Sequence, residues 1–152
     1  MAYPSIYEAS TTQAIHARID KLNEHTPGLW GKMTVGQMLS HCAVPYEQIL
    51  GLNTQQPPLI MRIILNLFLK KSMVNDVPYK QNLPTAPSFI RTGDYDVKNE
   101  KERLKNLVKT IQEMGAEKLE NTPSLSLGKL RANEWNNLLY KHIDHHLKQF
   151  NV

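Results

Sequence analysis

Disulfide chemistry is absent from this chain. It has one cysteine, Cys42, among 152 residues, and a lone thiol cannot close an internal bridge. Long apolar runs are missing too. The longest, Leu59 to Leu69, is interrupted by Arg62 and Asn66, and a bilayer span takes roughly 20 apolar residues. The opening residues, "MAYPSIYEAS", show no basic region leading into an apolar stretch, so they do not read as a signal peptide. These absences point to a cytoplasmic protein with no membrane association. Basic clusters with interleaved aromatics are also lacking, although the formal net charge is +4. The densest charged stretch, "KNEKERLKNLVK", alternates Glu with Lys and Arg. That pattern belongs to a solvated, salt-bridged helix face rather than to a nucleic-acid surface.

Strand-like alternation, internal repeats and low-complexity segments are not found either. What remains is a globular composition, 41% apolar and 21% charged. It is enough for one core, read as a single domain over residues 1–152.

Helical periodicity appears in four places. The first is about Thr11 to Asn23, with Ile15, Ile19 and Leu22 in one stripe and "STT" offering N-cap oxygens. The second is about Thr34 to Leu52. Thr34 and Gln37 read as a capping box, Met38, Cys42, Ile49 and Leu52 share a face, and Pro45 predicts a kink. The third is about Lys98 to Lys118, with Leu104, Leu107, Val108, Ile111 and Gly115 on its buried side. The fourth is about Ala132 to Phe150.

Between the second and third lies "PPLIMRIILNLFLKKSM", one more helix, then the proline-rich "VPYKQNLPTAPSF". Prolines there exclude a central strand and suggest extended chain on the surface. The expected fold is an all-α bundle of four main helices with an inserted fifth. The inserted helix is apolar on most sides. Its polar residues Arg62, Asn66 and Lys70 fall four apart, which leaves a narrow stripe. Packing over the bundle or a homodimer interface explains it better than membrane attachment, because the polar face is too thin for an interfacial helix.

The last helix carries three of the six histidines, in "YKHIDHHLKQF". At about 100° per residue, His142 and His146 fall in the apolar arc formed by Trp135, Leu138, Leu139, Gln149 and Phe150. His145 lies at its edge. Asp144, Lys141 and Lys148 fall outside. Two stacked imidazoles are harder to bury than one, since each needs partners on both ring nitrogens. Two imidazoles four apart can instead share a metal ion. The residue after His142 is Ile143, not Glu, so the general base of a zincin protease is missing. A further ligand would come from His16, His25, His41 or Cys42. His41 is the best placed, on the border of the second helix's apolar face. Cys42 reads first as a small buried hydrophobe. Glu47 projects outward, and Trp30, Trp135 and Tyr140 read as core or pocket wall.

The segment "MTVGQMLSHC", followed far along by "EWNNLLYKHIDHHLKQF", resembles the DinB-like superfamily, and within it a branch of unknown function. "LPTAP" in the connection is similar to that branch as well. The resemblance covers about Ile15 to Val152. It implies a four-helix bundle and a divalent metal held by His41, His142 and His146, with Gln149 matching a Gln of the family pattern. Zinc or nickel are the first expectations, then iron or manganese. Arg131 departs from the Thr or Ser often found as N-cap of the last helix. The extra His145 leaves open which pair of the last helix ligates. Relatives in the superfamily imply a metal-dependent enzyme acting on a small molecule, such as a transferase using a low-molecular-weight thiol. A noncatalytic metal-binding module and a metal-assisted hydrolase are the competing classes.

Overall fold

The computed structural model describes residues 3–152, so residues 1 and 2 of the expected domain lie outside the described residues. The described chain is all-helical, with one isolated bridge between Ser124 and Gly128 and no strand. None of its helices is long and apolar enough to cross a membrane.

Four long helices share one core: α1 (Ala9–Asp20), α2 (Val35–Ile49), α5 (Val97–Glu120) and α6 (Ala132–Gln149). Helix α5 packs against α1, α2 and α6, and α2 also meets α6. The predicted stripes are where the core is. Ile15, Ile19, Leu22, Met38, Cys42, Leu104, Leu107, Val108, Ile111, Trp135, Leu138 and Leu139 are all buried in one cluster.

Local chemistry explains most boundaries. The Thr34 hydroxyl accepts from the Gln37 backbone N–H at 3.2 Å, and the Gln37 side chain accepts from Thr34 N–H at 3.1 Å. This reciprocal cap starts α2 just before the site. The helix runs through Pro45 to Ile49. It ends there because Gly51 takes a left-handed φ of 71°, a conformation glycine adopts without steric cost. Leu52, expected on the helix's apolar face, is therefore past its end and 70% exposed.

Three further expectations need correction. Helix α1 starts earlier, after Glu8, with no side-chain cap. Ser10, Thr11 and Thr12 sit inside it, and both threonines are buried. Gly115 does not mark a buried face. Its φ of 77° and ψ of 169° break α5 locally, and the turn after it returns Leu119 to the core. Lys141 and Asp144 are not on an outer face, because other parts of the chain cover that side of α6. Lys141 is 2% exposed. Its ammonium donates to the carbonyls of Ser72 and Asn75 at 2.8 and 2.9 Å and lies over the Tyr79 ring. Burial lowers its pKa to about 8. Asp144 is held between Arg18 (2.8 Å) and Lys148 (2.7 Å).

The connection between α2 and α5 carries α3 (Leu59–Ile64), a π-helical turn (Leu65–Leu69) and α4 (Lys70–Val74) in unbroken succession. Helix α4 rests on α6. The proline-rich stretch then returns without regular structure except for a 3-10 turn, Pro87–Phe89, which brings Phe89 to α2.

Candidate metal centre

His41 projects from the middle of α2, and His142 and His146 project from one face of α6. The three rings meet with centroids 4.6 to 4.9 Å apart. Each offers one ring nitrogen, and these nitrogens all lie within 4.8 Å of one another. His41 and His146 are buried, and His142 is partly so.

The surroundings fix which nitrogen each ring presents. His41 Nδ1 lies 2.9 Å from the Phe89 carbonyl oxygen. A carbonyl only accepts, so Nδ1 carries the proton and Nε2 keeps its lone pair. Gln149 sets His146 in the same way. The Gln149 amide nitrogen donates to the Trp30 carbonyl at 2.8 Å, which turns its oxygen toward His146 Nδ1, also at 2.8 Å. His146 Nδ1 must donate, and its Nε2 is left with a lone pair. Partners that orient a ring in this manner are the usual outer shell of a histidine metal ligand. Among the described residues His142 has no such partner. Its Nδ1 is buried without a hydrogen bond, and its Nε2 lies 2.9 Å from His41 Nε2.

Electrostatics favour neutral rings. Burial lowers the pKa of His41, and more so that of His142, whose neighbours His41, His146 and His145 push the same way. Burial, with His41 next, lowers His146 to about 3. The rings are thus unprotonated at neutral pH, the form that binds metals. The donor set also fits an ion by size. Zinc bonds imidazole nitrogen at about 2.0–2.1 Å, which sets tetrahedral ligand nitrogens about 3.3 Å apart. His142 Nε2 lies 2.9 Å from His41 Nε2, and all three nitrogens lie within 4.8 Å of one another, so the cluster could hold an ion of that kind.

Two glycines hold the walls of the site. A Cβ on Gly31, whose φ is 76°, would lie 2.6 Å from the Gln149 amide nitrogen. A Cβ on Gly36 would lie 2.6 Å from the Tyr95 carbonyl oxygen, so α2 meets the returning connection only because that position is bare. Gln37 also donates to the Gly93 carbonyl at 3.2 Å, strapping the same loop to α2. Phe89 packs edge-on to His41 and His142.

The remaining candidates are elsewhere. His16 reaches the Lys105 carbonyl at 3.0 Å. His25 is exposed in a loop, beside Glu24. His145 stands between the rings of Trp30 and Tyr79, next to the cluster but outside it. Cys42 is fully buried with its sulfur 3.7 Å from Met38 Sδ, and burial pushes its thiol pKa up. Glu47 is not a free outward carboxylate, because it pairs with Arg103. Among the described residues no carboxylate or thiol joins the three histidines. The Phe89 carbonyl and the two wall glycines carry no signal in the sequence that separates them from ordinary loop residues.

A family model described as "Protein of unknown function (DUF1569)" matches residues 7–152. The chain belongs to that family. Comparison with curated proteins and with solved structures gives no match. Family membership therefore supplies no activity, and the chemical reading rests on the three histidines, which could hold a metal ion.

Proposed function

We propose that the chain is a divalent-metal-binding enzyme of DinB-like bundle architecture, with His41, His142 and His146 as the ligands and a small molecule as substrate. The observation that carries this reading is the tautomer control: two of three converging imidazoles are held with Nδ1 donating, so that their Nε2 lone pairs face one point. Zinc or nickel suits three neutral imidazoles best, and iron or manganese follow.

Three protein donors leave coordination positions open, the arrangement of catalytic rather than structural sites. A cation held by His41, His142 and His146 would supply Lewis acidity of the kind that lowers the pKa of a thiol or of water. The chain's own residues orient the donors. Phe89 packs against His41 and His142, and His145, itself against Trp30, stands beside His146. No side chain in the cluster is placed as a general base, which favours a cosubstrate whose acidity the cation controls. A low-molecular-weight thiol is the first choice, in a transferase reaction.

The test is cobalt(II) substitution followed by titration with small thiols. A changed ligand-field spectrum supports thiol access to the metal. A spectrum indifferent to every thiol tried rejects the thiol reading. Activity toward generic esters without thiol would then favour hydrolysis.

One observation favours a second reading. The cluster joins α2 to α6, so an ion there also braces two core helices, as in a noncatalytic module. Bracing alone predicts a large fall in melting temperature on metal removal and no spectral response to any small ligand.

A further inference from the structure

The inserted helix meets the rest of the protein through part of its narrow polar stripe. Two of its three polar residues bond to the loop before α6. The Asn66 side-chain amide donates to the Ser126 carbonyl at 3.1 Å, and the Lys70 ammonium donates to the Lys129 carbonyl at 2.8 Å. Arg62 is occupied by the Gln56 side chain at 3.2 Å. With Asn66 and Lys70 bonded to that loop and Arg62 bonded to Gln56, the apolar residues are left exposed. Eight large ones, Leu59 to Leu69 without Arg62, Leu65 and Asn66, are between 41% and 75% exposed.

We infer that this apolar ridge is the interface of a homodimer, with a second copy of the chain as its occupant. The exposed apolar area is the size of a dimer interface. A large apolar residue offers roughly 150–200 Å² when fully exposed, so the ridge presents on the order of 800 Å². That exceeds the roughly 300–600 Å² patch of a typical monomer and equals what each partner gives to a standard interface, about 800 Å². Charge does not oppose the pairing. From Leu59 to Leu69 the only ionisable side chain is Arg62, which is bound to Gln56, so like charges do not meet when two ridges face each other. Lys71 is exposed but lies beyond the C-terminal end of the ridge, where an interface has its polar rim. A lipid surface fits less well. Electrostatic docking on an anionic bilayer uses clusters of roughly 4–8 free basic residues, and here Arg62 and Lys70 are engaged within the chain, leaving Lys71.

Analytical ultracentrifugation of the full chain over a concentration series tests the assignment, with Phe68→Glu and, separately, Ile60→Glu. Both positions are more than 70% exposed, so folding is retained, as circular dichroism would verify, and either variant alone suffices if the other misfolds. The expected result is a dimer that falls to half its mass in each folded variant. A wild-type monomer throughout the series overturns the proposal, including when that monomer sediments with anionic phosphatidylserine vesicles, which would make the ridge a lipid-docking face. A dimer that persists in both variants overturns it as well.

Discussion

Replacing Gly31 by alanine puts the proposed orientation of His146 to a quantitative test. The new Cβ would stand 2.6 Å from the Gln149 amide nitrogen, on a backbone with φ of 76°. The left-handed conformation costs a non-glycine residue roughly 1–2 kcal/mol. Moving Gln149 aside also breaks its hydrogen bonds to the Trp30 carbonyl and to His146 Nδ1, both 2.8 Å. At about 0.5–1.5 kcal/mol for each bond, the metal-free protein should lose about 2–5 kcal/mol in urea denaturation. Metal affinity should fall about 10–100-fold, the usual cost of removing a group that orients a histidine ligand. A double-mutant cycle with Gln149→Ala separates the causes. Without the Gln149 side chain there is nothing for the new Cβ to displace. Gly31→Ala should then cost only the backbone strain, about 1–2 kcal/mol, and should not weaken metal binding further. Competition titration with a chelator reads the affinities. If Gly31→Ala lowered affinity equally in both backgrounds, or in neither, the Gln149 link would be refuted.

Other consequences follow from the same contacts. The histidines of the metal-free protein have folded pKa values below the unfolded value near 6.5. Their neutral burial therefore supports the fold fully above pH 6.5 and is lost progressively as pH falls toward the folded values. For His146, at about 3, the loss by pH 5 is about 2 kcal/mol. A urea midpoint unchanged between pH 7.5 and 5 would contradict it. Lys141→Met removes the ammonium that holds the carbonyls of Ser72 and Asn75. Hydrogen exchange in α4 should quicken at least tenfold while α5 is unaffected, and equal protection in both proteins would show that the lysine is dispensable. The Cys42 thiol should react with a thiol reagent only on unfolding, since it is fully buried with a raised pKa; fast labelling of the native protein would contradict the packing of α2.

The long helices and the histidine cluster were legible in the sequence for the same reason. Side chains three and four apart on a helix share a face, so Leu104, Leu107, Val108 and Ile111 mark the core and His142 and His146 mark the candidate site. His41 was legible because its position on α2 is set by a strong local signal, the Thr34–Gln37 cap. The parts that were missed depend on the rest of the chain. Lys141 reads as a surface lysine until the segment from Ser72 to Tyr79 is laid over it. Arg62, Asn66 and Lys70 read only as a narrow polar stripe, and it takes the backbone carbonyls of the Ser126–Lys129 loop to turn part of that stripe inward. The Phe89 carbonyl is invisible to any motif, since every residue has one. Gly115 falls in a regular apolar register, and only its dihedral angles show that it interrupts the helix.

The central claim is that His41, His142 and His146 bind a metal ion. Elemental analysis of untagged protein, alongside His142→Ala, measures it most directly. The account predicts about one equivalent of zinc or nickel, or of iron or manganese, in the wild type and its loss in the folded variant. A wild type without metal after reloading with each of these divalent ions, or a variant that keeps a full equivalent, would contradict it.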